Sequence, residues 1–115
     1  VASPEIARSE FTPAVRRLIL ARAGDACEVC GVPGYVELHH RRYKSRGGLG
    51  TPENGIALCG WGNHTGHHGW AHTDELAHVW GVSLHSWQDP LEAPLWDDLA
   101  GRWVALTRDG RKLAL

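Results

Sequence analysis

Two neighbouring histidines, His39 and His40, end the stretch YVELHH, and Arg41, Arg42, Lys44 and Arg46 follow at once. Neutral imidazole can ligate a divalent ion or accept a proton near neutral pH, and cleavage of a phosphodiester needs both. One histidine of the pair is then expected to hold the ion while the other takes a proton from water. Asn54, His68 and His72 extend the group. An asparagine carbonyl can accept the far ring N–H of a histidine, fixing its tautomer and leaving the opposite nitrogen basic. His68 and His72 lie one helical turn apart and can close a metal site from one side of a helix. The basic run would grip backbone phosphates without reading bases. A solvated charged loop is the plainer reading of the same run.

A second set of residues points to a different ion. Cys27-x-x-Cys30 brings two sulfurs toward one centre, Cys59 adds a third, and thiolates prefer zinc in a four-ligand tetrahedron. His64 and His67 are both near enough in sequence to Cys59 to complete it. His67 is preferred because it falls where a helix should begin, with His64 as the alternative. A structural zinc stabilises small domains by roughly 10–16 kcal/mol. The competing reading is three free thiols buried as small hydrophobes.

These residues need elements to place them. Thr12 followed by Pro13 predicts an N-cap and first helical position, and Val15, Leu18 and Ile19 carry a helical rhythm to Gly24, giving a helix over 13–23. A cysteine knuckle follows. Val36, Leu38 and His40 alternate with Glu37 and His39 as in a strand, the polar glycine-rich segment after His40 reads as a loop, and IALC reads as a returning strand. The hairpin would leave the basic run on an exposed tip. Thr65 is expected to cap a helix whose His68, His72, Leu76 and Val79 share one face until Gly81. The tail predicts an irregular acidic segment and then a hairpin over 101–115, turning at Asp109 and Gly110. Adjacent strand residues point to opposite faces, so His39 and His40 can share a site only at a strand end or a bulge.

At 115 residues the chain fits one domain over 1–115, with the motif core at 27–80. No apolar run approaches the roughly 18 residues that span a bilayer, and the opening VASPEIARSE lacks the basic start and apolar core of a secretory signal, so a cytoplasmic setting is expected. Three cysteines do not make a disulfide framework. The formal net charge of −1 gives no whole-chain argument for nucleic acid; the positive charge is local, beside the histidine pair. His78 and His85 read as surface or core histidines, and the six tryptophans as packing anchors, with base stacking as the alternative.

The segments CEVC, ELHHRRYKSRGG, ENGIALC and HHGWAH, from Cys27 to His72 and about forty per cent of the chain, resemble the HNH nuclease family in its ββα-metal form. The likeness is closest to small stand-alone HNH proteins of actinobacterial phages and prophages. It implies an α+β fold with a ββα-metal core, a structural zinc knuckle, an N-terminal helix and a C-terminal hairpin. It also implies that His39 and His68 ligate a catalytic magnesium, manganese or nickel ion, that His40 is the general base and that Asn54 orients it. By likeness to nuclease colicins, His72 contacts the metal or the scissile phosphate. Related phage proteins have cysteine where His67 stands, so the zinc set here would be three cysteines and one histidine. The implied partner is double-stranded DNA, with a phage terminase as a further one. The expected activity is a metal-dependent DNA endonuclease or nickase of low sequence specificity. Its rivals are a zinc-stabilised nucleic-acid-binding module without catalysis and a ribonuclease or toxin domain.

Overall fold

A computed structural model describes residues 8–115. The reading of the opening stretch as non-secretory falls mainly on residues 1–7, outside the described ones. The predicted helix, α1 (Pro13–Ala23), has the expected bounds. Thr12 Oγ1 accepts from Val15 N at 3.2 Å, Pro13 needs no partner for a missing N–H, and Gly24 ends the helix at φ 66°, where a side chain would be disfavoured. The fold is α+β. Strands β1 (Glu37–His40) and β2 (Gly55–Leu58) form an antiparallel pair in the register Glu37↔Leu58 to His40↔Gly55. Cys59 lies just past the strand that was expected to include it.

Every residue of β2 is buried because elements cover both its faces. α1 packs on one, and the helix α2 (Gly66–Thr73) on the other. Gly55 permits this: a Cβ there would run into Ile19 and the Phe11 ring. The single helix expected after Cys59 is broken. Asp74 adopts extended geometry (φ −105°, ψ 129°), and its carboxylate caps a separate short helix α3 (Glu75–Val79) by accepting from Leu76 N at 2.8 Å. Leu76 and Val79 therefore leave the His68–His72 face and stand exposed. Thr65 does not cap α2 with its side chain; its hydroxyl accepts from Trp61 N instead.

The tail forms a three-stranded antiparallel sheet of β3 (Leu95–Asp97), β4 (Arg102–Leu106) and β5 (Lys112–Ala114). The hairpin at Asp109 and Gly110 is where sequence placed it. β3 is the addition, hidden in sequence by prolines and acids that make the preceding residues irregular. Leu95, Val104 and Leu106 join Ile56, Leu58, Ala77 and Val82 in one core. No helix among the described residues is long and apolar enough to cross a membrane.

A buried carboxylate ties these layers together. Glu28 receives two 2.9 Å hydrogen bonds from Arg22 of α1, one of 2.8 Å from Ala57 N of β2, and an ion pair from Lys112 of β5 at 3.2 Å. Burial pulls the Glu28 carboxyl upward, but the Arg22 charge and hydrogen bonds, Lys112 and the Ala57 N–H outweigh it and hold it below the usual range. A depressed folded-state pKa stabilises the fold above the unfolded value near 4.3 and is lost as pH falls through the folded value. Glu28→Gln leaves Arg22 buried without its counter-charge and should cost about 3–5 kcal/mol at pH 7. Thermal melts from pH 7 to pH 3 should show the gap between wild type and variant closing toward the acid end.

Candidate functional site

Two clusters of ligand-type side chains meet around α2: Cys27, Cys30, Cys59 and His67 in one, His39, His68 and His72 in the other. The first arises where the knuckle after α1 meets the β2–α2 turn. Cys27 N donates to Val32 O and Gly31 N to Cys27 O, which curls the C-x-x-C segment, while Glu28 N pairs with Ala57 O and fastens it to β2. The β2–α2 turn closes tightly. Gly60 sits at φ 110° and Gly66 at φ 59°, and a side chain on either would strike the backbone of the other limb.

The spacings are those of a tetrahedron's edges. Ligands at roughly 2.3 Å for sulfur and 2.0–2.1 Å for nitrogen from one zinc ion lie roughly 3.8 Å (S···S) and 3.6 Å (S···N) apart. Here Cys30 Sγ to Cys59 Sγ is 3.9 Å, Cys27 Sγ to His67 Nδ1 is 3.6 Å and Cys59 Sγ to His67 Nδ1 is 3.4 Å. This group could hold a metal such as zinc, and the fourth position is His67; His64 is exposed and outside the cluster. Burial pushes the Cys59 thiol up to about 11, with the neighbouring Cys27 adding to the rise. Burial raises Cys27 too, but N–H groups of Cys30, Cys59 and Val29 turn toward its sulfur and bring it below the ordinary thiol value. A divalent cation is what would let these sulfurs lose their protons together.

In the second cluster β1 supplies His39 and α2 supplies His68 and His72. The tautomers of His39 and His68 follow from their partners. Ser83 Oγ donates its only proton to Ala71 O at 2.7 Å, so its 3.2 Å contact with His39 Nε2 must be an N–H donated by the ring. The Nδ1 lone pair of His39 is left available. His68 Nδ1 donates to Glu37 Oε1 at 2.8 Å, which frees Nε2, and that atom lies 3.3 Å from His72 Nε2. Two nitrogens on one tetrahedral ion would be separated by roughly the same distance. Burial, then the charges of His68 and His72, hold His39 well below the ordinary imidazole value, so it is neutral and able to ligate at pH 7. Burial and His68 lower His72 as well. Three imidazoles suit zinc or nickel; magnesium, one of the expected catalytic ions, prefers oxygen donors.

Glu37, two residues before His39 on the same strand face, also accepts from Tyr35 Oη at 2.7 Å, and the His68 hydrogen bond, followed by that of Tyr35, keeps its carboxyl below the usual range. Tyr43 packs on the cluster, 5.7 Å from His39 and 5.1 Å from His72 between ring centroids. The Arg46 guanidinium lies over the same ring at 4.8 Å from its centroid. Sequence reasoning missed Glu37, Ser83 and Tyr43. The Glu-x-His spacing could have revealed the first; Ser83 is remote in sequence and carries no local signal.

His40 does not join this cluster. β1 is regular through its last residue, with no bulge, so His40 points away from His39. Its ring stacks on Phe11 at 4.1 Å, and its Nε2–H donates to Ser9 O at 2.6 Å. The carbonyl that fixes its tautomer therefore belongs to Ser9, and Asn54 is elsewhere. Asn54 accepts from Arg42 N at 2.7 Å and donates to Arg42 O and Leu49 O, clamping the loop between the strands. Burial lowers His40, the Ser9 hydrogen bond and Glu10 raise it, Lys44 lowers it, and the balance leaves it neutral with a free Nδ1.

The basic run divides. Arg41 is fully buried, and its guanidinium donates to Gly81, Glu53, Pro90 and Ala93 carbonyls at 2.9–3.1 Å, which corrects its expected place on an exposed tip. Burial, with the Arg22 charge, pushes it down to about 9, still charged at neutral pH. Arg42 is half-buried and donates to Arg46 O, exposed Lys44 pairs with Glu10 at 2.7 Å, and Arg46 reaches the cluster's neighbour Tyr43.

No protein-family model matches this chain, and neither does any curated protein or solved structure. The metal assignment is tested directly. His67→Ala should lower bound zinc from about one per chain to well below it and drop the melting temperature by more than about 10 °C, whereas His64→Ala should change neither. Metal content by mass spectrometry, with melts in the presence of a chelator, measures both.

Proposed function

We propose that the protein is a metal-dependent phosphodiesterase acting on DNA, an endonuclease or nickase of low sequence specificity. The observation that carries this reading is the convergence of His39, His68 and His72, with the outer nitrogens of His39 and His68 held by Ser83 and Glu37. Ligand imidazoles whose far N–H is anchored are preorganised for an ion. A three-histidine set also leaves a fourth position open, as in catalytic rather than structural sites. When bound there, a divalent ion supplies positive charge to a phosphoryl oxygen and to the departing 3′ oxygen.

The remaining work falls to this chain's own groups. Arg46, beside Tyr43, holds a phosphate next to the cluster, and Lys44 and Arg42 contact neighbouring phosphates along the loop. Arg41 has no part in this grip, because its donors are committed to carbonyls. His40, neutral and with Nδ1 unprotonated, accepts a proton from the attacking water. It ends β1 on the face opposite His39, so in this reading the phosphate passes around the strand end between the two rings. The zinc cluster takes no part in the reaction and fixes α2. A protein of this kind would act in the cytoplasm of a host cell, with a phage terminase as a candidate partner.

A second reading is favoured by one observation, the placement of His40 on the face away from His39: a nucleic-acid-binding module without chemistry. Plasmid nicking separates the two. Supercoiled DNA with manganese, nickel or magnesium should be nicked by the wild type and protected by EDTA. His40→Ala should lose roughly 100-fold or more, with zinc content unchanged. His39→Ala should lose at least as much. Undiminished nicking in His40→Ala removes that residue from the mechanism, and binding without any nicking by the wild type establishes the module. A matched RNA substrate distinguishes a ribonuclease.

A further inference from the structure

Three rings lie face to face beyond the basic loop. His78 of α3 stacks on His85 with centroids 4.5 Å apart and planes 8° apart, and His85 stacks on Trp87 at 4.5 Å and 5°. Trp87 closes the series with its outer side in solvent, at 79% exposure. His78 Nδ1 is buried without a hydrogen-bond partner, so on that side stacking is what fixes the inner ring. Indole carries a large apolar surface that proteins normally cover. A flat, parallel, open end of a ring stack is the shape that accepts another flat ring.

Position decides what that ring is. Leu84, the residue before His85, accepts from Arg46 Nη1 at 3.2 Å. Arg46 lies over Tyr43, and Tyr43 packs against His72. The carbonyl that Arg46 holds thus sits one residue before the stack, and Arg46 links that point through Tyr43 to the three-histidine cluster. A cation that meets phosphates beside a ring that meets bases is how single-stranded nucleic acid is held. Bases inside a duplex have both faces covered by their neighbours, so only an unpaired one can cap Trp87.

We propose that Trp87, braced by His85 and His78, is a stacking platform for an unpaired nucleobase of a DNA strand whose phosphates pass Arg46. This rests on the phosphodiesterase reading for its substrate class and adds a preference to it. Strands that are frayed, flapped or single near the bond bind better than closed duplex.

Fluorescence anisotropy of a labelled thymidine oligonucleotide, with a closed duplex for comparison, tests this on the zinc-loaded full chain. Trp87→Ala should weaken single-strand binding by roughly ten- to a hundredfold and duplex binding by less than about twofold. Trp87→Phe, which keeps an aromatic face, should lose less than about threefold. An oligonucleotide carrying 5-iodouracil should photocrosslink to Trp87. Single-strand binding unchanged in Trp87→Ala, or single strand and duplex weakened equally, overturns the platform. Nicking by the wild type is scored apart from binding. Nicking without any Trp87 dependence of binding removes the platform alone, whereas Trp87-dependent binding without nicking keeps it and removes the hydrolytic reading.

Discussion

The buried guanidinium of Arg41 is the constraint on which the arrangement of the three-histidine cluster depends. A charge with no water around it must satisfy its N–H groups internally or destabilise the fold by several kcal/mol. Arg41 does so on four backbone carbonyls, at Gly81, Glu53, Pro90 and Ala93, while its own carbonyl accepts from Leu84 N. These bonds dock residues 81–84 against the end of β1. Ser83 is thereby carried to His39, and the tautomer of a candidate ligand is set by a segment more than forty residues away in sequence.

Much of this was legible from residue order. The start and stop of α1, the two short strands, the terminal hairpin and both sets of ligand-type residues follow from local rules: capping pairs, alternation, the C-x-x-C spacing and a one-turn histidine repeat. What was not legible depends on contacts between distant segments. A run of Arg, Arg, Lys and Arg looks uniform, yet the first member is interior and the others are not. Nothing local distinguishes Arg41 from Arg42; the difference is that four carbonyls from three separate segments surround one and not the other. The break at Asp74 is a nearer miss. An aspartate able to cap stands in mid-helix, and its preference for that role competes with the histidine–leucine rhythm around it.

The histidine pair shows how a strict period divides labour. Glu37 and His39 face the cluster, and Leu38 and His40 face α1 and the segment before it. Each ring then finds its own carbonyl or hydroxyl to anchor the nitrogen it does not present: Ser83 for His39, Ser9 for His40. Asn54, which seemed by type the natural anchor, instead holds the loop closed by bonding both backbone groups of Arg42. An amide side chain offers donors and an acceptor together, and a loop turn with unpaired N–H and C=O groups uses both.

His67 and His68 are consecutive on α2, one turned to the sulfur cluster and the other to the imidazole cluster. A helix is stiff over so short a span, so its roll about its own axis is a single variable shared by the two centres. An ion seated among the thiolates would therefore set the aim of His68 and His72 without touching either. Damage to the sulfurs would be felt at the other centre as misalignment, with every imidazole still in place.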